Sequence, residues 1–163
     1  MKSIIFAGGC FWGVEAYFQM VEGVIDTTVG YIDGRTENPT YETVCKGSGH
    51  AEAVYIEYDE TVTDLYKLLD HYFNIVDPTS INRQGPDIGA QYRSGIYNVD
   101  MSNQRLLDQY LKAKQTQYKK AFQLTLKNDC TFYVAEENHQ DYLANNPNGY
   151  CHVNLDSIRN IQE

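Results

Sequence analysis

The first third of the chain changes its hydrophobic pattern twice. A short apolar run predicts a buried strand at residues 3–7, and two glycines then end it. Apolar residues recur at helical spacing from about residue 10 to residue 21, so Cys10 falls in the first turn of a predicted helix. Residues 24–32 are rich in β-branched and aromatic side chains, which predicts a second strand. The sequence therefore begins with a strand, a helix and a strand.

The middle of the chain repeats this order. Residues 52–58 alternate, with Val54, Ile56 and Tyr58 on one face, and Glu52 lies in phase with that apolar face. A helix is predicted next, because apolar residues recur at i, i+3, i+4, i+7 and i+11 behind a Thr-Asp start. These residues are Leu65, Leu68, Leu69, Tyr72 and Val76.

The remaining elements alternate in type. We predict a strand near 95–99, a helix at about 101–121, strands at about 123–127 and 131–135, and a short helix at about 137–145. Interleaved helices and strands predict an α/β (α+β) fold, in which helices and a sheet pack as two layers. We expect a single domain over residues 1–163, with an irregular C-terminal tail at 146–163.

Charge and length exclude some partners. The chain has 163 residues with 13 Lys and Arg against 22 Asp and Glu, a net charge of −9, which disfavours nucleic acid and anionic membrane surfaces. No apolar stretch approaches the ~18 residues of a membrane span. The apolar run behind Lys2 is about five residues, shorter than the ~7–15 of a signal sequence. Nothing in the sequence requires more than a monomer.

The cysteines indicate redox chemistry rather than a disulfide scaffold. Cys10, Cys45, Cys130 and Cys151 are spread along the chain without a C-x-x-C pair. This usage fits a reducing compartment, so we expect a cytoplasmic protein. His50 and the Cys151-His152 pair lack the paired spacing of a zinc site, so neither a metal nor another cofactor is predicted.

Cys10 has two interpretations. At a helix start, free N–H groups and the helix dipole would stabilise a thiolate and lower its pKa. Alternatively, Cys10 is a small buried hydrophobic residue. Phe11 and Trp12 point about 100° apart on a helix, so one of them is expected to line a hollow beside the thiol. Such a hollow suits a methyl or thioether group.

Other candidate residues lie far from Cys10 in sequence. Glu52 is either solvated at the rim of its strand or desolvated with a raised pKa, which would make it a proton donor. Tyr41 and Tyr92 fall in two irregular segments and could direct hydroxyls into a site. Cys151, on the irregular tail, is either an idle surface thiol or a resolving cysteine for a sulfenic acid on Cys10.

Four segments together resemble the peptide methionine sulfoxide reductases of type A. They read GCFWG, GYIDGRTENPTYETVCKGSGHAEAV, RQGPDIGAQYRSGIY and FYVAEENHQDYLANNPNGYC. The resemblance extends from Gly8 to Cys151, and the ordered combination of GCFWG, GHAE and QYRS is specific, although each motif alone is not. It implies a two-layer α/β fold around a mixed sheet. It also implies reduction of the S epimer of methionine sulfoxide, free and in proteins.

The resemblance implies a role for each matching residue. Cys10 would be the nucleophile, Glu52 the acid that protonates the sulfoxide oxygen, and Phe11 and Trp12 the pocket for the substrate methyl group. Two tyrosines would hydrogen-bond that oxygen and one aspartate would support the site; these are Tyr41, Tyr92 and Asp87.

The resemblance also implies how the enzyme is recycled. Cys151 would condense with the sulfenic acid on Cys10, and thioredoxin would reduce the resulting disulfide. Some family members carry a further cysteine beyond GYC, but this chain has none there, so we expect one resolving step. Cys45 and Cys130 are predicted to be structural.

Two other functions fit part of the pattern. Cys10 and His50 could form a thiol-dependent acyl-transfer or hydrolytic enzyme, which would not need Cys151. Alternatively, Phe11 and Trp12 could hold methionine side chains in a binding module without chemistry.

Overall fold

A computed structural model describes residues 2–161 of the chain. In chain order, its strands and α-helices are β1 (Lys2–Ala7), α1 (Phe11–Gln19), β2 (Val24–Ile32), α2 (Tyr41–Cys45), β3 (Ala51–Tyr58), α3 (Leu65–Ile75), β4 (Arg83–Gln84), β5 (Asp87–Ile88), β6 (Gly95–Tyr97), α4 (Gln104–Gln115), β7 (Thr125–Lys127), β8 (Phe132–Val134) and α5 (Tyr142–Asn145). Four 3-10 turns lie at Ala90–Tyr92, Met101–Asn103, Glu137–His139 and Leu155–Asn160.

Six strands form a mixed sheet in the order β7-β6-β1-β3-β2-β8. All neighbours are antiparallel except β6 and β7, which run parallel. The register pairs Tyr31 with Glu52 on the neighbouring strands β2 and β3. The predicted mixed α/β fold is confirmed. The short strands β4 and β5 pair separately as a hairpin.

The main hydrophobic core lies between one face of the sheet and helices α1 and α3. Phe6 of β1 stacks on Tyr72 of α3, with ring centroids 4.6 Å apart, and contacts Phe18 of α1 at 5.3 Å. A fully buried side chain of this size contributes roughly 1.5–3 kcal/mol relative to an exposed one. A smaller cluster, which includes Ile5 and Tyr97, covers the opposite face. Because successive side chains of β1 point to opposite faces of the sheet, this strand contributes to both hydrophobic clusters.

The structure agrees with the sequence pattern where a long apolar face exists. The predicted strand at residues 24–32 and the predicted helix from Leu65 are β2 and α3. The irregular segment at 34–49 contains the short helix α2, which sequence periodicity missed. A capping box at Thr40 starts it, since the Thr40 hydroxyl accepts from the Thr43 N–H.

Two predicted helices are wrong in extent. The helix predicted to reach residue 121 ends at Gln115, whose side chain accepts from the Phe122 N–H and donates to the Lys120 carbonyl, so the chain turns back. The helix predicted at 137–145 is interrupted by Asp141, which has a φ of 52° in the left-handed region. No helix in the described part of the chain is long and apolar enough to cross a membrane.

Candidate active site

Cys10 occupies the N-cap of α1, at the end of a turn that only glycine suits. Gly9 has a φ of 88°, and a Cβ there would meet Nε2 of His152 at 2.7 Å. The Cys10 backbone N–H donates to Oδ2 of Asp87 at 3.4 Å. The thiol is largely buried, with 8% of the residue exposed. The strand, the glycine turn and the helix start thus fix the cysteine within the protein.

The expectation that the pKa of Cys10 would fall is wrong. Burial raises the pKa of Cys10 to about 12, with additional contributions from the nearby carboxylates of Glu52 and Asp87. The backbone N–H groups of Trp12 and Gly13 lower this pKa, but by less. A helix N-terminus stabilises a thiolate only where desolvation and nearby anions do not outweigh it. Cys10 is therefore a thiol at neutral pH.

Glu52 is desolvated, which decides between the two interpretations of its position. It lies on β3 with 1% of the residue exposed, and its Oε1 accepts from the Phe11 N–H at 3.2 Å. Its Oε2 is buried with no hydrogen-bond partner among residues 2–161. Burial raises the pKa of Glu52 to about 8, and Asp87 adds to the rise, whereas the Phe11 N–H opposes it. Glu52 is therefore protonated at neutral pH.

Phe11 and Trp12 diverge as helical geometry requires. Phe11 is fully buried, with its ring centroid 5.7 Å from that of Tyr31, while Trp12 is half-buried. Trp12 stacks on Tyr142 of α5 at 3.8 Å and an interplanar angle of 8°. Its indole Nε1 donates to Nδ1 of His139 at 3.1 Å. The rigid indole and its stacked neighbour form an aromatic wall beside Cys10.

Tyr41 and Tyr92 lie close enough to Glu52 for its ionised form to affect the pKa of both phenols. Burial and Glu52 raise the pKa of Tyr41 above its usual range, and they raise the pKa of Tyr92 to about 12. Tyr41 begins α2, and its backbone N–H donates to Oε2 of Glu136 at 2.9 Å. Both phenols remain protonated near neutral pH and can donate hydrogen bonds.

Asp87 connects the cysteine turn to the C-terminal tail. Besides accepting from the Cys10 N–H, its Oδ1 accepts from the Tyr150 hydroxyl at 2.8 Å. Its Oδ2 lies 3.6 Å from Nδ1 of His152. Tyr150 and His152 flank Cys151, so one carboxylate contacts both sequence neighbours of the predicted resolving cysteine.

Cys151 packs against the first turn of α1. A Cβ on Gly13 would lie 3.2 Å from the Cys151 sulfur, so the missing side chain of this glycine leaves the space for it. The Cys151 thiol donates to the Val153 carbonyl oxygen at 3.2 Å, and burial raises its pKa above the usual range. The predicted resolving cysteine therefore packs beside Gly13, in the first turn of the helix that Cys10 caps.

A family model described as peptide methionine sulfoxide reductase matches residues 2–163. The chain belongs to this family. A protein of Clostridium tetani named peptide methionine sulfoxide reductase MsrA is 53% identical over 161 residues, which covers 96% of this chain and 96% of that protein. The family assignment makes the chain an oxidoreductase that acts on methionine sulfoxide.

Solved structures of the family match the fold. Reduced Mxr1 from Saccharomyces cerevisiae has a TM-score of 0.86 and 35% identity over 92% of this chain and 88% of that one. Mxr1 in complex with Trx2 has a TM-score of 0.62 and 26% identity over 86% and 84% of the two chains. The mixed α/β fold is therefore that of a methionine sulfoxide reductase.

Sequence reasoning missed several residues of this reductase site. His139 accepts from Trp12, and its ring centroid lies 4.5 Å from that of Tyr41. Glu136 accepts from the Tyr31 hydroxyl at 2.8 Å as well as from the Tyr41 N–H. Tyr142 covers the indole. All three lie in the last of the four segments that carry the resemblance, FYVAEENHQDYLANNPNGYC, but none was singled out there.

Other predicted residues have different surroundings from those expected. Cys45, predicted to be structural, is exposed and accepts from the Gln91 side chain at 3.4 Å. His50 uses both ring nitrogens at the turn before α2, with the Gly34 N–H and the Thr36 carbonyl oxygen. This arrangement does not pair His50 with Cys10 as an acyl-transfer base. Residues 2–161 contain no cluster of three metal-ligating side chains.

Proposed function

We propose that the chain, as a single catalytic domain over residues 1–163, reduces the S epimer of methionine sulfoxide, free and in proteins. The observation that carries this proposal is a protonated, buried Glu52 next to a buried Cys10 thiol and an aromatic wall. A sulfoxide sulfur is a poor electrophile until its oxygen accepts a proton or strong hydrogen bonds. Glu52 can donate the proton to the sulfoxide oxygen, and Cys10 can then attack the sulfur.

In the first step, Cys10 attacks the sulfoxide sulfur while Glu52 protonates the sulfoxide oxygen. Tyr41 and Tyr92 donate hydrogen bonds to that oxygen, and Phe11 and Trp12 hold the methyl group. The thiol proton replaces the proton that Glu52 has given. The new bond between the two sulfurs and the S–O bond of the substrate then break as the hydroxyl moves to the Cys10 sulfur, so methionine leaves and Cys10 becomes a sulfenic acid. Cys10, Glu52 and the substrate together gain no net charge in this step, which suits their low exposure.

In the second step, Cys151 attacks the Cys10 sulfenic acid, a disulfide forms and water leaves. Asp87 supports this step because it contacts both the Cys10 backbone and the residues that flank Cys151. Thioredoxin then reduces the disulfide by exchange, which the solved Mxr1–Trx2 complex supports. We propose that the enzyme works as a cytoplasmic monomer.

The test is a reaction without reductant. Purified protein is mixed with excess methionine sulfoxide, and the released methionine and the remaining free thiols are counted. We expect one methionine per chain and the loss of two thiols, mapped to Cys10 and Cys151. If no methionine is released, the proposed function is wrong. If methionine is released but Cys151→Ser still forms a disulfide and turns over with thioredoxin, only the resolving assignment fails.

A further inference from the structure

His152 has one ring nitrogen engaged and one free. Nε2 lies 3.0 Å from the carbonyl oxygen of Gly8, and a carbonyl can only accept, so Nε2 carries the hydrogen and donates it. In the neutral ring, Nδ1 then carries the lone pair. This nitrogen is buried and has no hydrogen-bond partner among residues 2–161, and 3% of the side chain is exposed. His152 is therefore a buried base whose Nδ1 lone pair takes part in no hydrogen bond among the described residues.

The free nitrogen and the Cys151 sulfur share one small space. A Cβ on Gly13 would lie 3.1 Å from Nδ1 of His152 and 3.2 Å from Sγ of Cys151. The thiol proton of Cys151 is donated to the Val153 carbonyl in this state, and it must leave before the sulfur can attack. The only buried imidazole lone pair beside this sulfur in the described chain is that of His152.

We propose that His152 accepts the thiol proton of Cys151 as the disulfide with Cys10 forms. This inference rests on the proposed function, in which Cys151 resolves the sulfenic acid. The S–H bond of Cys151 breaks and its proton goes to Nδ1. The Cys151 sulfur bonds to the Cys10 sulfur, and the S–O bond of the sulfenic acid breaks. The hydroxyl leaves as water with a proton returned by the imidazolium. Cys151 is oxidised and the Cys10 sulfur is reduced.

Asp87 stabilises the protonated form of His152, whereas burial favours the neutral resting ring. Oδ2 of Asp87 lies 3.6 Å from Nδ1, where it faces a lone pair now and would form an ion pair once Nδ1 is protonated. The other titratable groups on this side are Cys10 before α1, Glu52 on β3, and Tyr150 and Cys151 in the tail. Burial lowers the pKa of His152, so the ring is neutral at physiological pH despite Asp87.

The pH profile of disulfide formation distinguishes this role from simple positioning. If neutral His152 takes the proton, the rate is independent of pH across the neutral range and falls below the pKa of His152. Without a base, the rate follows the Cys151 thiolate and rises tenfold per pH unit, since the pKa of Cys151 is raised. Single-turnover quench experiments on the unmodified protein measure this profile directly. A tenfold rise per unit through neutral pH would overturn the proposal.

Variants test the same point. His152→Gln keeps an N–H for the Gly8 carbonyl but lacks a basic nitrogen, so disulfide formation should slow by roughly 10²-fold. The rate of disulfide formation in this variant should also rise tenfold per pH unit. Methionine release should keep its rate. Tyr150→Phe removes only a tail contact to Asp87 and should keep the flat profile. If both variants slow disulfide formation equally and both keep the flat pH profile, His152 only positions the tail, and the proposal is overturned.

Failure of the proposed function would look different. If Cys151 is not the resolving residue, the disulfide in the unmodified protein maps to another pair before any variant is compared. If the protein is not a sulfoxide reductase, no methionine is released. In either case the disulfide map or the methionine count identifies the failed assignment, and the pH profile is not needed to find it.

Discussion

Oε1 of Glu52 accepts a hydrogen bond from the backbone N–H of Phe11, the residue that follows Cys10, at 3.2 Å. This contact joins the middle of β3 to the start of α1. It fixes the carboxyl beside Cys10 while leaving Oε2 without a partner in the described chain. A buried oxygen with no partner is costly, so a substrate oxygen that takes its proton would relieve that cost. This backbone contact therefore links the proposed acid to the helix start that carries the proposed nucleophile.

Glu52→Gln should slow the release of methionine in a single turnover by at least about 10²-fold, because general acid catalysis contributes roughly 10²–10⁴. The amide can still accept from Phe11 and donate a weak hydrogen bond, so substrate affinity should change little. Stopped reactions with methionine sulfoxide measure both quantities. Glu15→Gln, which alters another buried carboxyl of the same region, serves as the control and should release methionine at the normal rate. A normal rate in Glu52→Gln would contradict the acid role.

The protonation state of Glu52 can be observed without catalysis. The pKa of Glu52 is raised to about 8, so its carboxyl is protonated below that pH and ionised above it. Infrared difference spectra should show a carboxylic acid band that disappears as the pH rises through about 8. The band should be absent in Glu52→Gln. A second band, from Glu15, should disappear near pH 7 and be absent in Glu15→Gln. A Glu52 band that titrates near the usual glutamate pKa would disprove its desolvation.

Gly9→Ala should strain the backbone and, in addition, slow the formation of the disulfide. Its φ of 88° is left-handed, which costs a non-glycine residue roughly 1–2 kcal/mol. The new Cβ would also meet Nε2 of His152 at 2.7 Å and displace the tail from the cysteine turn. We expect lower stability and slower formation of the disulfide, measured by chemical denaturation and by thiol counts.

Gly47→Ala is the matched control for Gly9→Ala. Gly47 has a φ of 98°, but a Cβ there would meet nothing within 4 Å. The two substitutions therefore share the backbone strain and differ in the contact with His152. We expect Gly47→Ala to lose a similar amount of stability and to form the disulfide at the normal rate. Equal disulfide rates in both variants would show that the tail does not depend on this contact.

The position of Glu52 could be predicted from the sequence because a two-residue period places it in phase with Val54 and Ile56. Its burial then follows from the register of β2 and β3. The same local reasoning failed for the pKa of Cys10. The helix start is visible in the sequence, but the carboxylates that oppose a thiolate come from two distant segments, and Asp87 lies 77 positions away.

The aromatic wall shows the same limit. Phe11 and Trp12 could be assigned to different directions from helical geometry alone. Their partners could not, because His139 lies 127 positions from Trp12 and follows no hydrophobic period. Tyr142 depends on Asp141, whose left-handed backbone breaks the predicted helix. Contacts made by irregular segments depend on tertiary packing, so periodicity cannot predict them.

Glu15 should make the stability of the folded protein depend on pH. It is 1% exposed, and its carboxyl oxygens accept from the Thr27 hydroxyl at 2.9 Å and from the Asp141 N–H at 2.8 Å. Burial outweighs these hydrogen bonds and raises the pKa of Glu15 to about 7. The folded state therefore holds a proton that the unfolded state releases at lower pH.

The sign of the effect follows from that proton. Below the unfolded pKa of ~4.3 both states are protonated, and the contribution of Glu15 to stability is fully present. As the pH rises through about 7 the contribution is lost. The loss is at most about 4 kcal/mol in the free energy of unfolding. Glu15→Gln should remove this part of the pH dependence, because its amide does not titrate.

Urea unfolding of the unmodified protein and of Glu15→Gln between pH 5 and 8 measures the difference. We expect the stability of Glu15→Gln relative to the unmodified protein to rise with pH, since only the unmodified protein must ionise a buried carboxyl. Glu22→Gln, at an exposed position just beyond α1, is the control and should follow the unmodified protein at every pH. If the Glu15→Gln curve also runs parallel to the unmodified one, Glu15 does not hold its proton in the folded state.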